Sequence, residues 1–149
     1  MLSQRARYAL KALLNLARAD RPSQQVGNIS DQENIPRKFL ETIMSDLRRA
    51  GLVTSQRGSG GGYRLARPAD RIMFADIIRV TDGPISMLPC VSRNFYEQCE
   101  DCSNEEICAL RKIFAEVRTA VADILDHRSL ADALLLERPE KTVPSKASV

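Results

Sequence analysis

The sequence predicts a mainly α chain with one small β-hairpin, on three observations. Aromatic residues make up only 5% and tryptophan is absent, so the core must be built from Leu, Ile, Val and Ala, which suits helix packing. Apolar residues recur at helical spacing over three long stretches. Between the second and third, two short strand-like runs flank a glycine-rich turn. At 149 residues the chain suits one compact domain or a small domain with an extension.

Tyr8, Leu10, Leu13, Leu14, Leu16 and Ala17 mark the apolar face of a first helix from about Ser3 to Ala19, ended by DRPSQQ. Arg5, Arg7, Lys11 and Arg18 interrupt it, so it holds no signal-peptide or membrane-spanning core. A cytoplasmic protein without a membrane partner is expected. A short second helix is expected near Ile29 to Glu33. The third is clearer: Pro36 suits a first helical position, Phe39, Leu40, Ile43 and Leu47 share an apolar face, and Gly51 suits a left-handed cap. Lys38, Glu41, Ser45 and Arg48 follow one another at steps of three, four and three, so they share the opposite face.

The run LVTSQRGSGGGYRLARP then reads as a hairpin whose glycines allow reversal with positive φ. A phosphate-cradling loop is excluded, because no Lys-Ser/Thr follows the glycines and a strand, not a helix, comes next. Ile72 to Thr81 predicts another short helix, closed by DGP. Ser103 and Glu106 have capping-box spacing, which predicts a long helix starting just after Cys102 and reaching about His127. Its stripe of Ile107, Leu110, Ile113, Phe114, Val117, Val121, Ile124 and Leu125 would run roughly 35 Å. A domain this small can hardly cover that length, so pairing with the same helix of a second subunit is expected. Ser129 should cap a last helix, LADALLLE, and the tail from Arg138 has no apolar period and is expected to be disordered.

Charge divides the chain. Residues 1–72 carry 13 Lys+Arg against 6 Asp+Glu, and residues 73–149 carry 9 against 13, which suggests a polyanion-binding module joined to something else. Helix, turn, helix and basic hairpin is the order of a winged helix-turn-helix, whose second helix enters the major groove of duplex DNA. The expected organisation is a DNA-binding domain over 1–80, a cysteine-rich loop over 81–103, a dimerisation helix with the last short helix over 104–137, and the tail.

All four cysteines fall in one run, Cys90-x8-Cys99-x2-Cys102-x5-Cys108. Such a set can close a zinc site, hold an iron-sulfur cluster or form a thiol-disulfide switch, and the spacing does not separate these. Only one CxxC is present, where structural zinc sites usually have two pairs. Cys102 and Cys108 fall near the predicted start of the long helix, whose dipole favours thiolates. His127 reads as a helix-end surface residue, and Met44, Met73 and Met87 as core or loop residues. No acid-base pair with histidine and no nucleotide loop is present, and the CxxC is not on a strand-helix unit, so an enzyme is not expected. A small redox or electron-transfer protein is the weaker reading.

The stretches RARYAL, FLETIMSDLRRAGLV, RGSGGGYRL and LADAL together resemble the Rrf family of bacterial transcriptional regulators, over nearly the whole chain. The resemblance implies a winged helix-turn-helix homodimer reading a palindromic operator. It also implies that Glu41 filters base sequence and Arg57 enters the minor groove. Helix geometry adds Arg37, Lys38, Ser45 and Arg48, the cations as phosphate contacts. Members of the family hold iron-sulfur clusters in the corresponding loop, and Cys108, then Cys90, align most securely. Some members have a histidine ligand three residues after the last cysteine, where this chain has Arg111. Others take an acid from the partner's N-terminal region, where this chain has RARYAL. Cys90, Cys99, Cys102 and Cys108 therefore form the simplest ligand set, for a 2Fe-2S or 4Fe-4S cluster, with zinc as the alternative.

Overall fold

A computed structural model describes residues 2–138. Helix α1 spans Gln4–Arg18, started by Ser3, whose hydroxyl accepts from the Ala6 amide. Helix α2 is Val26–Glu33 and α3 is Arg37–Arg49. Strands β1 (Val53–Gln56) and β2 (Gly62–Leu65) pair antiparallel with Val53 opposite Leu65. Helix α4 is Phe74–Thr81, α5 is Ala109–Asp126 and α6 is Leu130–Leu136. Single 3₁₀ turns lie at Ala69–Arg71 and Pro89–Val91. No helix of the described residues is long and apolar enough to cross a membrane.

The head is built around Leu13 of α1, Ile29 of α2, Leu40, Ile43, Met44 and Leu47 of α3, Val53 of β1 and Ile77 of α4. All are fully or almost fully buried. The last helix returns to this core: Leu130 is fully buried within it, and α6 lies on α1. Two backbone bonds fasten the return, from Leu130 to the Ile72 carbonyl at 3.0 Å and from Phe74 to the Arg128 carbonyl at 2.9 Å.

Several boundaries differ from expectation, each for a local reason. Helix α2 starts at Val26 rather than near Ile29, and Asn34 ends it in the left-handed region with φ 56°. Pro36 stands one residue outside α3 as its N-cap, while Gly51, at φ 76°, does take the left-handed position. Phe39 is on the rim rather than in the core, edge-on to Tyr8 at 5.6 Å, and Met44 fills the interior. Helix α4 begins at Phe74 instead of Ile72, because Ile72 and Met73 are extended to pair with the chain around Ser129. Ser129 caps α6 as expected: its hydroxyl accepts from the Asp132 amide, and its own amide donates back to the Asp132 carboxylate.

The largest difference concerns α5. Ser103 and Glu106 form no capping box; Asn104 Oδ1 takes the Glu106 amide at 2.8 Å, a local bond that competes with helix formation. The helix starts six residues after Ser103, with Cys108 as its N-cap. Its 18 residues span about 27 Å. Arg79 of α4 clamps it to the head through two bonds to Asp126, at 2.6 and 3.2 Å, and Ala122 is its one buried residue. Part of the predicted stripe therefore stays open, with Leu110, Ile113 and Ile124 each about 60% exposed (62%, 58% and 61%), while Phe114, Val117 and Leu125 are half-buried. The tail expected to be disordered lies, apart from Arg138, outside the described residues.

Candidate nucleic-acid interface and cysteine cleft

Helix α3 presents its polar face outward because Leu40, Ile43, Met44 and Leu47 turn the opposite face into the head. Lys38, Glu41 and Arg48 are exposed and Ser45 is half-buried. Arg37 opens the helix, and its Nε donates to Glu41 Oε1 at 3.2 Å, an i,i+4 pair. At the far end Arg48 Nη1 donates to Ser55 Oγ of β1 at 3.1 Å, so the helix and the hairpin are fastened side chain to side chain. Asp46 accepts from both Arg5 of α1 and Arg49, fixing the helix against α1.

Arg57 is exposed in the loop between the strands, apart from the five candidates on α3. Arg64 Nε, on β2, donates to Thr54 Oγ1 at 3.1 Å. The hairpin is anchored by a contact that no local sequence signal marks: Gln24 and Tyr63 exchange backbone bonds at 2.8 and 2.7 Å. Gln24 thus acts as a third, one-residue strand. Gly62, at φ 141° beside it, is required, because a Cβ there would collide with the Gln24 carbonyl.

The Gln24 side chain enters a buried polar chain. Its Nε2 donates to Asn15 Oδ1 at 2.6 Å, and Asn15 Nδ2 donates to Gln32 and Glu33 at 2.9 Å each. Arg18 bridges Glu33, at 3.0 Å, to Glu137 just beyond α6, at 2.8 Å. Burial pushes the Glu33 carboxyl up, but the bonds from Asn15 and Arg18 outweigh it and hold its pKa below the ordinary value. The signal for this chain was present: Asn15 falls within the apolar stripe of α1, and a polar residue there needs partners.

The cysteines gather where α5 begins. Cys90 is buried on the Pro89–Val91 turn, and Cys99, Cys102 and Cys108 are half-buried. The CxxC closes a tight turn, with the Cys102 amide donating to the Cys99 carbonyl at 3.1 Å. Cys108 Sγ accepts from the Arg111 amide at 3.5 Å, so this sulfur sits at the positive end of the helix. The neighbouring Cys90 thiol, with partial burial and the charge of Asp101, pushes the Cys99 pKa up. All four thiols are free and line one cleft of about 490 Å³, with Asp101, Asn104 and Arg111. Among the described residues, no three His, Cys, Asp or Glu side chains converge closely enough to hold a single metal ion. Four thiols lining one open cleft are the donor chemistry that an iron-sulfur cluster takes. His127 lies at the far end of α5, its Nδ1 on the Asp123 carbonyl.

The profile of the Rrf2 family, described as iron-dependent transcriptional regulators, matches residues 2–135. An rrf2-like HTH-type transcriptional regulator of Rhodobacter capsulatus is 43% identical over 93% of this chain and 95% of its own length. Among solved structures, CymR, the global cysteine regulator of B. subtilis, superposes with a TM-score of 0.75 at 34% identity, covering 93% of this chain and 98% of CymR. IscR of T. potens does so with a TM-score of 0.72 at 26% identity, over 93% of this chain and 88% of IscR. The chain is therefore a winged helix-turn-helix protein and not an enzyme, and it belongs to the Rrf2 family of DNA-binding transcriptional regulators.

Proposed function

We propose that this regulator acts as a cytoplasmic homodimer on palindromic duplex DNA, and that an iron-sulfur cluster held by Cys90, Cys99, Cys102 and Cys108 controls its binding. The observation that carries the reading is that all four thiols line one cleft at the start of α5, the helix whose outer stripe is uncovered. When bound, a cluster supplies a centre whose charge and integrity change with iron, oxygen or nitric oxide. The chain's own residues do the rest. The Ala122 contact and the Arg79–Asp126 clamp join α5 to the head, so ordering of the cysteine loop bears on how each head sits relative to the two-fold axis. Glu41 filters base edges, Arg57 reaches the minor groove, and Arg37, Lys38, Ser45 and Arg48 meet the DNA along α3.

The test is anaerobic purification followed by an absorption spectrum, iron and sulfide analysis, and duplex binding at several salt concentrations. Cluster absorption with stoichiometric iron and sulfide, and affinity that falls steeply with salt, are expected. Protein free of sulfide and indifferent to duplex DNA would overturn both halves.

A second reading is a thiol switch without a cluster. Two observations favour it: Cys90 is the main influence on the Cys99 thiol, and CymR of Staphylococcus aureus, a structural relative, is solved in an oxidized form. Oxidation of sulfide-free protein would then change operator affinity, and mass spectrometry would find a Cys90–Cys99 disulfide. Zinc is the remaining alternative, read by metal analysis of the same sample.

A further inference from the structure

Among the described residues that line the cysteine cleft, Arg111 is the one cation. Its amide already holds Cys108 Sγ. Its guanidinium Nε is buried and makes no hydrogen bond among the described residues, although the side chain as a whole is 39% exposed. The nearest carboxylate oxygen, Glu105 Oε2, is 3.8 Å away, beyond hydrogen-bond reach. Glu105 is held there because its other oxygen accepts from Tyr96 Oη at 2.5 Å.

We infer that Arg111 is a positioning residue for the cysteine centre: it supplies positive charge to the cleft that the four thiols line, whether they stand alone or are gathered on a cluster. The inference rests on the reading that the four cysteines act as one centre. In this role Arg111 forms no bond to a metal. It favours whichever state carries more negative charge at the sulfurs, so it should draw anions to the metal-free thiols. It should also favour the reduced form of a bound cluster, which holds one more electron with no change in protein ligands.

Two measurements separate this from the fate of the cluster reading. The first compares alkylation of the reduced, metal-free protein by iodoacetate, an anion, and by iodoacetamide, which is neutral. In both reactions a thiolate attacks the carbon bearing iodine, the C–S bond forms, the C–I bond breaks and iodide leaves with its electron pair. The ratio of the two rates therefore cancels thiolate fraction and access and reports local charge. Arg111→Gln should lower that ratio by about threefold, Arg111→Lys should restore it, and Lys112→Gln, on the exposed side of α5, should leave it alone. An unchanged ratio in Arg111→Gln overturns the inference whether or not a cluster forms.

The second is a dithionite titration of the reconstituted protein. Arg111→Gln should keep its iron and sulfide but shift the reduced-to-oxidised ratio about tenfold towards oxidised, or 59 mV downward for one electron, with recovery in Arg111→Lys. Loss of the cluster in Arg111→Gln with an unmoved alkylation ratio would make Arg111 a ligand or a structural residue and overturn the proposal. Wild-type protein that takes up no iron would defeat the cluster reading, while the alkylation ratio would still decide this one.

Discussion

Arg37 Nε donates to Glu41 Oε1 across 3.2 Å on the exposed face of α3. The proposed filter is thus a carboxylate whose charge is partly balanced by its neighbour one turn earlier, so it can approach a polyanion at lower electrostatic cost. The two substitutions should separate. Glu41→Ala should narrow the affinity gap between operator and mismatched duplexes by about 1–3 kcal/mol, the scale of one base-edge contact. Arg37→Ala should weaken binding to every sequence and reduce the salt slope by about 1. Anisotropy titrations on cognate and mismatched duplexes at several salt concentrations would show this. A shared, sequence-independent loss would remove Glu41 from the role of filter.

The open stripe of α5 predicts the oligomer. Ile113 and Ile124 are 58% and 61% exposed in the protomer, so changing both to Glu disturbs no interior packing. The double variant should elute as a folded monomer with unchanged helical circular dichroism and greatly weakened operator binding, because one head alone reads one half-site. Light scattering that still reports a dimer would place the interface elsewhere.

Asn15 links the hairpin to the helices through Gln24, Gln32 and Glu33. Asn15→Leu should leave Gln24 Nε2 buried without an acceptor, at a cost of about 1–3 kcal/mol. Urea denaturation should report this, and a better-packed apolar α1 should not compensate. Hydrogen exchange at the Tyr63 amide, which donates to the Gln24 carbonyl, should quicken relative to the α3 amides. Unchanged stability would mean the network is replaced by water.

The Arg79 guanidinium holds the Asp126 carboxyl below its ordinary pKa. A depressed carboxyl stabilises the fold above its unfolded pKa of about 3.9 and loses that contribution as pH falls through the lower folded value. Asp126→Asn should therefore lower the thermal midpoint at pH 7, and the difference from wild type should close as pH falls below about 4. A difference that stayed constant to about pH 2 would exclude the ion pair as its cause.

The head was legible in the sequence because its signals are local. Leu40, Ile43 and Leu47 repeat at helical spacing, and Gly51 and the wing glycines mark reversals where positive φ is needed. What stayed illegible depends on partners far along the chain. Ile72 and Met73 looked helical by pattern, but their backbone is taken by the segment around Ser129, some 55 residues on, and no short window contains that competitor. Gln24 reads as turn material and becomes a strand only because Tyr63 arrives beside it. The start of α5 failed for the opposite reason: Ser103 and Glu106 matched a motif, but the Asn104 side chain offered the Glu106 amide a nearer acceptor. The cysteines were legible as a group, but their common cleft and the place of Arg111 in its lining needed the fold.

The cysteines give the last prediction, because the two readings of the cleft diverge on substitution. If a cluster is held by all four thiols, Cys90→Ala and Cys108→Ala should each lose cluster absorption and remain dimeric, since the stripe of α5 does not include them. Cys99→Ala and Cys102→Ala should behave the same way. Operator affinity in all four should become insensitive to oxygen and nitric oxide, while wild type should change by roughly five- to 150-fold, the usual range of coupling between two sites. If the centre is instead a Cys90–Cys99 switch, only those two substitutions should abolish the response, and Cys102→Ala and Cys108→Ala should respond like wild type. The Cys108 variant is the sharpest of the set, because its sulfur caps α5 by accepting from the Arg111 amide. Cys108→Ser keeps an acceptor at that position, so it should preserve the helix start while removing the thiolate. A cluster-free, fully folded and unresponsive Cys108→Ser protein would be the outcome that favours the four-thiolate centre, and a responsive one would exclude it.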